Sequence, residues 1–146
     1  MDFKAKILEF LKKEEVALTR SWEWAKDARD RAPSAAESHS DTTRSEQEKL
    51  VQALERDIKT LRGYLREVEK MSKRAVAMIG KWSYVELDSN GIEMKVFMVP
   101  EGIGGKSIGE VRLVSVAAPL GKALEGKGGG ETAEINGRVV KIRRVE

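Results

Sequence analysis

The chain has 146 residues, 35% of them charged, yet its formal net charge is only +3. Lys and Arg outnumber Asp and Glu by 17 to 15 in residues 1–74 and by 10 to 9 in residues 75–146, so neither half is a basic nucleic-acid-binding tail. The lack of cysteine and the single histidine exclude disulfides, thiolate zinc sites and a cysteine nucleophile, and no apolar run approaches the roughly 18 residues a membrane span needs.

The opening residues carry charges every few positions and do not read as a signal peptide, so a soluble cytoplasmic protein is the expectation. From Phe3 to about Arg31 there is neither Gly nor Pro. Ile7, Leu8, Leu11, Leu18, Trp22 and Ala25 recur at helical spacing there, with Glu14 and Glu15 interrupting the stripe. Trp22 and Trp24 lie two apart and cannot face the same way on a helix, which puts one in the core and leaves the other exposed or covered by a partner helix.

Pro33 ends this first helix, because the residue before a proline is pushed out of helical geometry. Residues 32–41 then form the tip of an antiparallel helical hairpin. Ser34 with Glu37 has capping-box spacing, and Thr43 with Glu46 offers a later start for the second helix. In that helix Val51, Leu54, Ile58, Leu61, Leu65 and Val68 alternate steps of three and four, the seam of a coiled coil. Its outer face carries Glu55 with Lys59, and Arg62 with Glu69. Gly63 interrupts the helix at a cost of up to about 1 kcal/mol against Ala. Residues 42–71, fully helical, span roughly 45 Å at about 1.5 Å per residue.

Composition changes around residues 75–81, and every glycine except Gly63 lies from Gly80 onward. This sets two domains, a helical hairpin at 1–74 and a second domain at 75–146. Residues 72–82 are the expected hinge, with Trp82 as a possible brace against the second helix. Trp82–Leu87 and Ile92–Val99 read as strands joined at Asn90-Gly91, a strong two-residue turn signal. A glycine-rich loop runs from Pro100 to Gly109. A strand at Val111–Val116, a short helix near Leu120–Leu124, and strands at Glu131–Ile135 and Val139–Val145 follow, the last two meeting at Asn136-Gly137. The fold class is α+β: an antiparallel coiled-coil hairpin, then a small, mainly antiparallel sheet domain with one short helix.

Four further signals have a plainer reading than chemistry. Gly104-Gly105-Lys106-Ser107 lacks the upstream glycine of a P-loop, since position 100 is Pro, and no long helix follows to hold a phosphate. Gly128-Gly129-Gly130 reads as a mobile turn. His39 has only carboxylates beside it. Glu37 and Asp41, one turn apart, complement the positive start of the second helix before they suggest metal or acid–base work.

Tyr84-Val85-Glu86-Leu87, Phe97-Met98-Val99-Pro100, Glu131-Thr132-Ala133-Glu134-Ile135 and above all Ala118-Pro119-Leu120-Gly121-Lys122-Ala123-Leu124 form a pattern. It resembles the C-terminal domain of the Gre family of bacterial transcript cleavage factors, where a Ser-Pro-Leu-Gly-Arg-Ala-Leu-like stretch is typical and the fold is FK506-binding-protein-like. The hairpin before it is similar to the Gre coiled coil, so the resemblance covers nearly the whole chain. It implies a domain that docks at the rim of the secondary channel of bacterial RNA polymerase, with Pro119, Leu120, Gly121 and Lys122 as docking candidates. It also implies a hairpin that enters the channel. Nucleic acid is then met only indirectly, through the transcription complex, and neither a cofactor nor a membrane is implied.

Family tips bring an Asp and a Glu to the polymerase magnesium for hydrolysis of backtracked RNA, which is two-metal chemistry. Laid without gaps from Ala28-Arg29-Asp30, those two acids fall on Pro33 and Ala36, neither of which is acidic. The resemblance therefore implies a channel-binding elongation regulator without strong cleavage stimulation, an inhibitor or competitor of cleavage factors. Such a factor is not itself an enzyme; at most it stimulates the polymerase's own cleavage. Two alternatives stay open: a cleavage factor using a rearranged acidic tip of Asp30, Glu37 and Asp41, and a helical-hairpin interaction module unrelated to polymerase.

Overall fold

The computed structural model describes residues 3–32, 43–71 and 78–146. The chain packs as two compact units, Met1–Met71 and Ser72–Glu146. The expected domain boundary at residues 74 and 75 lies outside the described residues.

The first unit is a pair of long helices, α1 (Phe3–Arg31) and α2 (Thr43–Glu69). α1 ends two residues before Pro33, with Arg29 and Arg31 in its last turn, where cations oppose the helix dipole. α2 takes the later of its two possible starts and carries Glu46 in its first turn; the Ser34–Glu37 alternative lies outside the described residues. Val51, Ile58, Leu61, Leu65 and Val68 of the seam are buried and meet Phe3, Ile7, Leu11 and Ala25 from α1. The Lys4 ammonium donates to the Glu69 and Met71 carbonyls, both at 2.9 Å, tying the start of α1 to the end of α2.

Polar side chains fix the register of this pair. Arg62 Nε donates to Glu15 at 2.9 Å, Trp22 Nε1 to Glu55 at 3.1 Å and Arg29 Nη1 to Glu48 at 3.0 Å. Each step of seven forward along α1 is answered by seven backward along α2, a heptad read twice. Glu55 and Arg62 thus engage α1 across the hairpin, where sequence spacing suggested partners along α2. Their direction follows from the partner helix, which spacing within one helix does not record. Trp22 is half-buried with the Lys26 ammonium 5.1 Å from its ring centre, and Trp24 stands in solvent.

The second unit is one six-stranded sheet with a short helix. In chain order the strands are β1 (Tyr84–Ser89), β2 (Ile92–Val99), β3 (Ser107–Ile108), β4 (Val111–Ser115), β5 (Thr132–Ile135) and β6 (Arg138–Val145), with α3 (Pro119–Leu124) after β4. Their spatial order is β3-β4-β2-β1-β6-β5. Both Asn-Gly turns form as expected, with φ of 53° and 84° at Asn90-Gly91 and 51° and 79° at Asn136-Gly137. The sheet is mostly antiparallel, but β2 and β4 run parallel, Lys95 to Val99 against Val111 to Ser115. A parallel neighbour requires a crossover rather than a tight turn, and the glycine-rich loop after Pro100 supplies it while contributing β3. Val85, Leu87, Val96, Met98 and Ile142 form the covered face, closed by Ile79 and by Leu124 of α3.

β1 starts at Tyr84 rather than Trp82, because Trp82 adopts a left-handed φ of 68° that a bulky side chain rarely tolerates. Its N–H bonds the Met98 carbonyl at 2.7 Å and its ring lies 6.2 Å from Phe97, so tertiary contacts hold the conformation. Within the expected hinge, residues 72–77 lie outside the described residues. Ile79 is bonded to Gly126 and Lys127, and Trp82 to Met98, so this end of the segment belongs to the second unit. The three-glycine turn, expected to be mobile, carries hydrogen bonds at both of its ends. Gly130 N–H bonds the Ile142 carbonyl at 2.7 Å, and the Glu131 carboxylate accepts from Gly128 N–H.

Candidate functional site

Two places carry the candidate residues, and each is described by itself. In the first unit, Pro33, Ala36, Glu37, Asp41 and His39 lie outside the described residues. Asp30 is described: it sits at the exposed end of α1 with its carboxylate 3.1 Å from Arg29 Nε. Arg29 also binds Glu48, so one guanidinium gathers two acids, and those two carboxylates raise its pKa further above its ordinary value. Asp30 thus makes an exposed contact with its neighbour in the chain. Among the described residues no cluster of three or more His, Asp or Glu side chains is placed to hold a metal.

In the second unit the docking candidates open α3. Pro119 takes the first helical position, where its missing N–H costs nothing and its fixed φ suits the helix. Ala118 precedes it with extended backbone and offers no side-chain cap. Ahead of the helix, the Ser115 Oγ accepts from Ala117 N–H at 3.1 Å and its carbonyl from Ala118 N–H at 3.0 Å, an ST-type turn leading into the helix. At the far end Glu125 N–H bonds the Gly121 carbonyl at 3.0 Å, and Gly126 turns the chain out at φ 81°.

Gly121 is the residue on which this turn closes. A Cβ placed there would lie 2.0 Å from the Ser115 carbonyl oxygen and 2.9 Å from the Val116 Cα, both backbone atoms that cannot swing aside. A Cβ on Gly104 would likewise come within 2.8 Å of the Ser115 nitrogen, so two bare backbones approach Ser115 closely. Leu120 turns half-inward onto the core, whereas Pro119 and Lys122 face solvent.

In front of this turn lies an open groove of about 580 Å³, lined by Glu101, Gly104, Arg112, Ala118, Pro119 and Leu120 among others. The structure thus brings Pro119 and Leu120 to one concave surface, and adds Arg112 and Glu101, which sequence reasoning did not single out. Neither has a local signal: Arg112 reaches the groove because β4 pairs in parallel with β2, a long-range fact. Gly104-Gly105-Lys106-Ser107 serves the sheet instead of a phosphate. Gly105 N–H and the Lys106 carbonyl both bond Leu113, at 2.9 and 2.8 Å, and Ser107 opens β3.

No family model and no curated protein matches the chain. Among solved structures it aligns with the GreA factor homolog Gfh1 of Thermus thermophilus at 20% identity, over 95% of this chain and 94% of that one, with a TM-score of 0.42. It also aligns with Thermus aquaticus Gfh1 at 18% identity, over 94% and 92% of the two chains, with a TM-score of 0.44. A third structure, of the transcription factor Gfh1, gives 18% identity over 98% and 92%, with a TM-score of 0.43. These alignments run end to end, at identities and TM-scores too low to bear on function.

Proposed function

We propose that this chain is a Gre-like regulator of transcription elongation, docking on bacterial RNA polymerase through the surface around α3 and presenting its hairpin to the secondary channel without strongly stimulating transcript cleavage. The observation that carries this reading is the turn from Ser115 to Leu124. The segment with the most specific resemblance to the Gre C-terminal domain folds as a turn and short helix beside an open groove, with a glycine where an added Cβ would strike backbone. It stands in a small, mostly antiparallel sheet that follows an antiparallel hairpin, the order the family reading requires. α1, with 29 residues, extends about 43 Å at about 1.5 Å per residue, a rod long enough to enter a deep channel.

The cleavage role is set aside on two grounds. Pro33 and Ala36 stand where the family's acids fall, and Asp30, an acid of the rearranged alternative, is engaged by Arg29. Co-migration of the full-length chain with core polymerase tests the docking half. Binding should be seen, and Lys122→Glu, at an exposed site beside Pro119 and Leu120, should weaken it at least about fivefold if the contact is direct. A chain that does not co-migrate at all would return the hairpin to an interaction module unrelated to polymerase.

A further inference from the structure

The two flanks of the hairpin differ in chemistry. One is laced by the Glu15–Arg62, Trp22–Glu55 and Arg29–Glu48 contacts. On another face Arg20, Ser21, Trp24, Ala28, Gln47 and Leu50 line an open trough of about 580 Å³ that crosses both helices. Trp24 is 83% exposed there and Leu50 46%. Large apolar side chains grouped on a rigid surface mark a place of association, and Trp is the residue type most often found at the energetic centre of one.

The heptad register indicates what covers it. The same steps of seven set Arg20 level with Asp57, Trp24 with Ala53 and Arg31 with Glu46. On α2, residues 46, 50, 53 and 57 advance by four, three and four, so they share one stripe beside the trough. At the Arg20 and Arg31 levels the cation is on α1 and the acid on α2, while Asp27 of α1, level with Leu50, is paired within its own helix by Arg31. That arrangement is complementary to itself. We propose that this flank joins two copies of the chain, related by a twofold axis parallel to the helices, with α1 of each copy lying on α2 of the other and both tips at the same end.

In this dimer Arg20 faces Asp57 of the second copy, and the Trp24 indole enters the hollow over Ala53 of the second copy. Arg31 already pairs with Asp27 one turn back, so Arg20 with Asp57 carries the charge argument. The other twofold, perpendicular to the helices, lays α1 on α1 and α2 on α2, where Asp57 would meet no cation, since the α2 stripe of Glu46, Leu50, Ala53 and Asp57 carries none. A foreign helix of single charge would suit one edge of the flank and be repelled by the other. The trough is short beside the roughly 1,200–2,000 Å² of a standard interface, so association belongs in the micromolar range. This proposal does not depend on the polymerase reading.

Sedimentation velocity of the full-length chain, from about 1 to 200 μM, tests it. A monomer–dimer equilibrium should appear within that range. Trp24→Ser, at a position already in solvent, should leave helix content by circular dichroism unchanged and abolish the dimer. Arg20→Asp should weaken association about tenfold, because two pairs per dimer turn from attraction to repulsion. Combining it with Asp57→Arg should restore the dimer to within about threefold of the native chain. A chain that stays monomeric throughout overturns the proposal and leaves the trough to another protein's helix. So does a dimer indifferent to Trp24→Ser, or a double exchange no tighter than Arg20→Asp alone.

Discussion

Gly121 and Gly63 make the case at the scale of single residues that a glycine has a physical meaning only in its surroundings. At Gly121 a methyl group would strike the Ser115 carbonyl at 2.0 Å. Gly121→Ala should therefore shift the α3 turn and destabilise the second unit by about 2–3 kcal/mol, as other overpacking changes do. A urea unfolding curve whose midpoint falls at constant slope is the expected readout. At Gly63, inside α2, the nearest atom to an added Cβ is an Arg66 terminal nitrogen 3.9 Å away. Gly63→Ala should accordingly stabilise the hairpin by about 0.5–1 kcal/mol through the backbone entropy of the unfolded chain; a melting temperature that does not rise would contradict this. Sequence reading recognised Gly63 as a cost because helix propensity is local. It recognised Gly121 only through resemblance, since its reason is a carbonyl six residues away that the turn folds back against it.

Among the elements, what was legible is what repeats. The α2 seam has a period, and all but one of its six positions are buried, Leu54 being half-buried. Both Asn-Gly turns carry their own left-handed backbone requirement, so their hairpins were readable from two residues each. The parallel pairing of β2 with β4 was not, because it depends on how the loop after Pro100 crosses, and no local pattern encodes that. The left-handed Trp82 was equally silent, being held by Met98 and Phe97. The seam supports a direct test. Leu61 is 3% exposed, and Leu61→Asp loses its burial and places a carboxylate among apolar side chains, a cost of at least about 3 kcal/mol unless the acid protonates. Helix content and melting temperature should both fall; if neither moves, Leu61 does not lie in the interhelical seam.

The molecule as a whole joins a small sheet domain and a long hairpin in one chain, and the proposed function assigns a separate contribution to each. Docking belongs to the turn built on Ser115, Gly121 and their groove. Reach belongs to the hairpin, whose length is set by seam and register rather than by any reactive group. Cleavage would belong to tip carboxylates, since magnesium takes anionic oxygens at about 2.0–2.1 Å, and neither Pro33 nor Ala36 has a side-chain oxygen. The measurement that meets this account most directly is transcript cleavage by backtracked RNA polymerase complexes, with the native chain added alone and in competition with a cleavage-competent factor. The account predicts little acceleration alone and a loss of the other factor's stimulation as the chain is titrated in. Strong stimulation by the native chain that disappears with Glu37→Ala would contradict it and return the catalytic role to a rearranged acidic tip.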